Sequence, residues 1–400
     1  MKRLLILTLS LILTLYIAST IIFAQNYPQI TYLINILLLA NFIFLVLIEK
    51  SSKFLVNNVI VFYSIFATIA LASSFWAFDF SLSSFIGLRL FYIVINLLVI
   101  YNILKKHHLK NAFLNGILLG SFVNYIFVFH LVEAPFEITM PDLRVFGTLG
   151  NPNVLAITMM FSIFASIIYL GNKEGSAKPF FYYQYVNVLL SVYLIFLTAS
   201  KKGIIFGGIL IFFYLMLSLR NFKNLLRLGV LGAAAIWIAV SYIDIGELLM
   251  HAERFVSRFE FFYYSLQGIG GYDYSTEERQ NFIELGLQLL GDRPLFGYGI
   301  DNFRIFGGTY SHNNFIELLV GVGIIGAIAY YSMYAGLIVK VLKMDGGELK
   351  VLLAIFVFII FAMDIAVVSY IDKLTIYMLL LVSLIAEEKC VKIRREVNDV

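Results

Sequence analysis

The chain has 400 residues, of which 61% are hydrophobic and only 14% charged. Its mean hydropathy is +0.90. A soluble protein of this length cannot hide that much apolar surface in one or two cores, whereas a bilayer accepts it, so a soluble class is excluded. The one cysteine, Cys390, excludes an intrachain disulfide and a thiolate metal cluster. The net charge of +4 is small, no nucleic-acid partner is expected, and the distribution of charge says more than its sum.

Apolar runs long enough to cross a bilayer predict an all-α, polytopic integral membrane protein of about twelve helices. The spans fall at 4–24, 30–48, 55–75, 84–104, 112–131, 152–170, 182–199, 203–219, 226–243, 313–339, 350–367 and 374–386. The first run follows Lys2 and Arg3 as a signal peptide would. It lacks a cleavage site and leads directly into more apolar sequence, so it is read as a membrane helix. Lys2, Arg3, Lys105, Lys106, Lys110, Lys340, Lys343, Lys389, Lys392, Arg394 and Arg395 then fall on one side with eight others, nineteen of the 29 basic residues in all. The positive-inside rule makes that side cytoplasmic, with both termini inside.

Four regions follow: 1–131 with helices one to five, 132–243 with the central helices and an outer loop at 132–151, a large outer loop at 244–312, and 313–400 with the last helices and a cytoplasmic tail. A long loop in a compact membrane protein usually has a task. In this one, Phe255, Phe259, Phe262 and Leu266 recur at helical spacing between 248 and 266, with His251, Arg254 and Arg258 on another face. That pattern predicts an interfacial helix, ended by Gly268-Ile269-Gly270-Gly271. A second helix starts with Ser275 and Glu278 placed as a capping box and stops near Asp292-Arg293-Pro294. Glycines 297, 299, 307 and 308, then 321, 323 and 326, predict a kinked re-entry followed by close helix packing.

Cations on the outer side need a local reason. They include Arg89 near the outer end of the fourth span, Arg144 in the first outer loop, Lys201 and Lys202 in a tight outer turn, and Arg279, Arg293 and Arg304 in the long loop. Their charges suit a lipid-linked diphosphate, which an arginine fork grips bidentately; each alone also fits snorkelling to phospholipid headgroups. His312, where the long loop re-enters the membrane, has the chemistry of a general base, with Glu317 placed to orient it. A capping or hydrogen-bonding histidine is the plainer alternative. The outer carboxylates Asp79, Glu133, Glu137, Asp142, Asp301 and Asp364 show no paired or metal-binding spacing, and Asp364 is expected to partner an arginine. No nucleotide cradle or zinc pattern is present, so no metal and no cofactor is expected.

Four segments in order resemble the O-antigen ligase and O-antigen polymerase superfamily of bacterial surface-polysaccharide assembly. They are Arg144-Val145-Phe146-Gly147-Thr148-Leu149-Gly150-Asn151-Pro152-Asn153, the turn Leu197-Thr198-Ala199-Ser200-Lys201-Lys202-Gly203, Arg279 with Asp292-Arg293-Pro294-Leu295-Phe296-Gly297-Tyr298-Gly299, and Ser311-His312-Asn313-Asn314-Phe315-Ile316-Glu317-Leu318-Leu319 with Gly323 and Gly326. They lie within roughly 140–330. Where the family turn usually carries arginine, this chain has Lys201 followed by Lys202. The resemblance implies a fold like the all-helical (GT-C-like) lipid-linked sugar transferases. It also implies a metal-independent, inverting glycosyltransferase of the bacterial inner membrane with its site facing the exterior. Its partners would be an undecaprenyl-diphosphate-linked oligosaccharide, a glycan or lipid A-core type acceptor, and membrane lipids. In that reading His312 and Arg279 are catalytic, Lys201, Lys202, Arg144 and Arg89 hold the diphosphate, and Glu317 and Asn313 orient.

A polymerase is slightly preferred over a ligase, on residue usage rich in Ile, Asn, Phe and Lys. The alternative from another class is a transporter or lipid-linked oligosaccharide flippase. That class would show midplane charges and a repeat between halves, whereas the notable charges here lie towards the outer face.

Overall fold

Capped, apolar helices build the chain in a computed structural model that describes residues 2–49, 53–140, 144–171, 178–218 and 274–398, with short pieces at 229, 250, 252–254, 256–257, 260 and 263–264. The expected span 226–243, Asp142, the Gly268–Gly271 break, and His251, Phe255, Arg258, Phe259, Phe262 and Leu266 of the expected interfacial helix lie outside the described residues. Every other expected span falls on a helix. Eight helices among the described residues are long and apolar enough to cross a membrane. The protein is thus an all-α, multi-pass membrane protein. By mutual contact the chain divides into two discontinuous units, 1–51 with 109–270 and 52–108 with 271–400.

The first unit contains α1 (Lys2–Ile22), α2 (Pro28–Glu49), α5 (Lys110–Val128), α6 (Pro152–Gly171), α7 (Lys178–Leu197) and α8 (Lys201–Ser218). Helices α1 and α5 approach closely at Gly116, where an added Cβ would lie 2.6 Å from the Ile17 side chain. Small residues permit that approach, which substitutes for the hydrophobic drive that lipid cannot supply. Buried polar side chains join α5, α6 and α7. Asn187 Nδ2 donates to Ser162 Oγ at 2.9 Å and to Ser166 Oγ at 2.8 Å, and the Tyr125 hydroxyl donates to Asn187 Oδ1 at 2.9 Å.

The second unit contains α3 (Asn58–Ala72), α4 (Phe80–His107), α9 (Tyr274–Asp292), the short α10 (Phe303–Gly307), α11 (Asn314–Leu342), α12 (Glu348–Met363) and α13 (Lys373–Asn398). Side chains start two of them. Asn57 Oδ1 accepts from Ile60 N–H at 3.0 Å and Asp79 Oδ1 from Leu82 N–H at 2.9 Å, so Asp79 is a helix cap. Because α4 begins at Phe80, Arg89 lies about two and a half turns from its N-terminal end, deeper than the expected start at 84 implied.

Helix α11 breaks at Gly323, with φ 66° and ψ −172°. The chain at 294–299 fills the break with backbone hydrogen bonds. Tyr298 and Gly299 N–H donate to Val320 and Gly321 carbonyls at 2.8 Å each, and Ile324 N–H donates to Pro294 O at 2.9 Å. An added Cβ on Gly323 would lie 2.2 Å from Leu295 O. The expected kinked re-entry is therefore a helix break sealed by a second piece of backbone. At the far end of this unit, Glu387 gathers Lys340 (2.5 Å), Lys105 (3.2 Å) and the Tyr101 hydroxyl (2.6 Å), tying α13 to α11 and α4.

Two substitutions test these joints. Gly323→Ala is expected to lose at least the roughly 1–3 kcal/mol of a positive-φ, extended backbone conformation that essentially only glycine adopts, while Gly208→Ala, with nothing within 4 Å of the new Cβ, is expected to be neutral or stabilising. Thermal unfolding of the detergent-solubilised protein reads both. In the same assay Glu387→Ala, which strands two half-buried cations, is expected to lower Tm more than Lys105→Ala, which leaves Glu387 its closer lysine.

Candidate functional site

In the first unit the loop before α6 and the turn before α8 are knitted together. An isolated bridge between Thr139 and Val145 closes the loop around 138–146. Val145 N–H then donates to Leu197 O at 3.3 Å, and Arg144 Nε donates to Thr198 O at 3.0 Å. Ala199 takes φ 45°, and Ser200 Oγ donates to Asn153 Oδ1 at 2.8 Å, anchoring the turn. Lys201 and Lys202 are the first residues of α8, half-buried. Three cations thus meet at a helix N-terminus, whose partial positive charge also favours anions. Gly147, at φ 56°, brings the loop backbone against Asn124, whose Oδ1 accepts from Thr148 N–H at 2.9 Å.

In the second unit α9 delivers Arg279 to the segment that carries His312. Phe282 and Leu289 on one face of α9 are buried against Tyr298, Phe303, Ile316 and Val320. Gly286 allows the close approach, since a Cβ there would lie 2.3 Å from Ile316 Cγ2. Phe282, one turn beyond Arg279, stacks on the His312 imidazole at 6.3 Å between centroids and 19°. Tyr310 flanks the same ring at 4.1 Å. Burial raises the Tyr310 phenol above its ordinary value, the Arg279 charge opposes that rise, and the Glu317 charge adds to it. Arg279, Glu317 and His312 are therefore grouped around Tyr310.

His312 sits at φ 58°, a conformation non-glycine residues seldom hold without support. Its neighbours supply the support. Ser311 N–H donates to Glu317 Oε2 at 2.8 Å, and Asn313 Oδ1 accepts from Phe315 and Ile316 N–H at 2.9 and 3.2 Å as the N-cap of α11. Glu317 is fully buried and its Oε1 has no hydrogen-bond partner. Asn314 then fastens α11 to the far loop. Its Oδ1 accepts from Ser369 and Tyr370 N–H at 2.9 and 3.1 Å, and its Nδ2 donates to Asp364 Oδ2 at 3.1 Å.

The arginine expected beside Asp364 belongs elsewhere. Asp364 hydrogen-bonds Asn314 and Ser369, whereas Arg304 Nη2 lies 2.7 Å from the buried Asp301 carboxylate. Asp301 also has a positive φ, 65°. Burial pushes its carboxyl above the usual range, and the Arg304 contact counters that. The Arg89 charge acts on the same carboxylate. Arg293 lies over the Tyr298 ring, 4.7 Å from its centroid, so packing accounts for that cation.

Tyr310, Phe282 and the Asp301–Arg304 pair were not legible as site features. Phe282 had a local signal, three residues from Arg279 on a helix. Tyr310 had only its place two residues before His312, and the partner of Asp301 required the fold.

The geometry defines a polytopic α-helical membrane protein with polar, charge-bearing loops gathered at helix ends. Residues 186–331 match the family model described as O-antigen ligase, so that segment is similar to the O-antigen ligase family. The match supports a role in membrane glycan transfer in O-antigen assembly. A comparison with curated proteins finds no match.

The cap at α11 gives a direct test. Asn313→Ala is expected to destabilise by about 1 kcal/mol, and Asn313→Ser or Asn313→Asp to restore most of it. Tm measured side by side for the three variants separates capping from any other duty of Asn313.

Proposed function

We propose that this protein is a metal-independent glycosyltransferase that moves a glycan from an undecaprenyl diphosphate carrier onto an acceptor hydroxyl at the outer face of the bacterial inner membrane. The observation that carries this reading is the grouping of Arg279 and His312 around Tyr310, inside the segment that matches O-antigen ligase. His312 takes the proton from the incoming hydroxyl as general base. Arg279 meets the negative charge that grows on the departing diphosphate, where a fixed cation lowers the barrier most. Attack opposite the leaving group inverts the anomeric centre. Glu317 acts one step removed: by holding Ser311 N–H it keeps the histidine-bearing segment in its unusual backbone conformation.

Arg144, Lys201 and Lys202 are assigned to phosphate binding on the first unit, supported by their convergence at the start of α8. Two lysines in place of an arginine keep the charge and lose the bidentate fork. Polymerase action, with a second lipid-linked chain as acceptor, is preferred over ligation to a lipid A-core type acceptor.

Reconstitution in liposomes with undecaprenyl-diphosphate oligosaccharide, candidate acceptors and EDTA tests the proposal. A ladder of longer lipid-linked chains is expected, unaffected by EDTA; one shifted acceptor band would make the protein a ligase. His312→Ala is expected to lower transfer by a factor on the order of 10² to 10⁴, and Arg279→Ala by at least ten-fold. A donor left intact with every acceptor would sink the proposal and favour transport.

A further inference from the structure

Four rings of the second unit are linked in series, from the core to the surface. Phe303, fully buried, meets Phe282 edge-on at 5.7 Å and 88°. Phe282, also buried, stacks on the His312 imidazole at 6.3 Å. Tyr310 ends the series, its centroid 4.1 Å from that of His312 and its ring tilted by 49°. That is the shortest spacing of the four. Phe303 and Phe282 belong to the packing that holds α9 against α11. Tyr310 lies outside that packing and is 36% exposed. The chain reaches it through Gly308, at φ 74°, where an added Cβ would meet nothing within 4 Å, so the backbone just ahead of Tyr310 is open on that side.

A tyrosine held in this way offers a flat apolar face and a polar tip. Burial of part of the ring is the largest influence on its phenol and keeps it above the ordinary range. The hydroxyl therefore carries its proton at neutral pH and can both donate and accept. A sugar ring matches the face and the tip together. One side of a pyranose presents mainly C–H groups, slightly positive, which the negative face of an aromatic ring attracts. Its hydroxyls project around the rim, where a general base has to reach one of them. An inorganic anion has no use for the ring face, and a lipid chain has none for the hydroxyl. A ring that leans on the imidazole also sets how far a stacked sugar stands from the base, the kind of placement that turns an encounter into a reactive geometry.

We propose that Tyr310 is the stacking platform for the acceptor sugar, which lays one pyranose face on the phenol ring and turns a rim hydroxyl towards His312. The proposal rests on the glycan-transfer reading and adds to it how the acceptor is held: by the face of a sugar ring, and not by a charge. Phe282 is a positioning residue in this arrangement, because it touches the imidazole and not the sugar.

The test uses the full-length protein in detergent and the oligosaccharide released from the donor lipid by mild acid, whose free end is the acceptor end of a polymerase. Binding is read by saturation-transfer NMR. Tyr310→Leu keeps apolar bulk and removes the flat ring, and is expected to raise Kd by about ten-fold. Tyr310→Phe keeps the ring face and is expected to retain most of the binding, which excludes misfolding as the cause. Phe75→Leu, which removes a still more exposed ring of the same unit, serves as the unchanged control. In transfer assays with labelled donor, Tyr310→Leu is expected to raise the acceptor KM by a similar factor and to leave the donor KM nearly as it was. Equal Kd values for the parent and Tyr310→Leu overturn the platform and leave Tyr310 as an interfacial anchor. No binding by the parent, an equal loss in Tyr310→Phe, or a rise in the donor KM alone overturns it as well. The same preparations separate the two ideas. A parent that transfers glycan while Tyr310→Leu binds normally refutes only the platform; a parent that binds through Tyr310 yet never transfers refutes only the glycosyltransferase.

Discussion

The break in α11 at Gly323 is the constraint from which the second unit is built. A helix interrupted at membrane depth exposes N–H and C=O groups that hydrocarbon cannot satisfy, at a cost of several kcal/mol each. Here the chain at 294–299 satisfies them, with Tyr298 and Gly299 donating into the first half of the helix and Pro294 accepting from the second. The exchange works only where both backbones approach closely. Gly297 and Gly323, each with positive φ and with carbonyl oxygens where a Cβ would stand, make that approach possible. The loop is thereby fixed to the helix by its main chain, with little dependence on side-chain packing.

Consequences spread in both directions from that seal. Downstream of Gly299 the chain must turn at once, which places Asp301 at positive φ and lets it seize Arg304. Upstream, α9 is held by Phe282 and Leu289 against Ile316 and Val320, so Arg279 arrives beside Tyr310 and His312. The histidine segment is then pinned from both sides, by Glu317 behind it and by the Asn313 cap ahead of it. Of the five described non-glycine residues with positive φ, Ala199, Asp301 and His312 lie in the segments that carry the candidate site residues. Strain held in place by hydrogen bonds is what preorganised sites commonly show.

Each unit satisfies its buried polar groups in its own way. The first uses short side chains between helices, as at Asn187 with Ser162 and Ser166, which hold the helices close without net charge. The second buries carboxylates near its loop-bearing end and an ion-pair cluster at the other, where Glu387 takes two lysines. An apolar bilayer makes either kind costly when unpaired, which is why these groups are held by hydrogen bonds and ion pairs. Glu317 Oε1 is among the buried side-chain atoms without a hydrogen-bond partner.

The sequence alone determined the class of protein, because the period and length of apolar runs respond only to local chemistry and bilayer thickness. It also determined the helix ends set by Asp292-Arg293-Pro294, and the glycine run that marks the re-entry, since backbone permissiveness belongs to the residue itself. His312, Arg279 and the Arg144 and Lys201-Lys202 segments were legible through their resemblance to a family and as polar residues at odds with an apolar setting. What only the tertiary structure decided were the pairings. Asp301 with Arg304, Asp364 with Asn314, Phe282 and Tyr310 against His312, and Lys373 beside Tyr92 join residues whose partners are set by how helices cross. Asn313 and Asp79 likewise became caps only once the helix starts were known. A charge in sequence states what it needs; which neighbour supplies it depends on the fold.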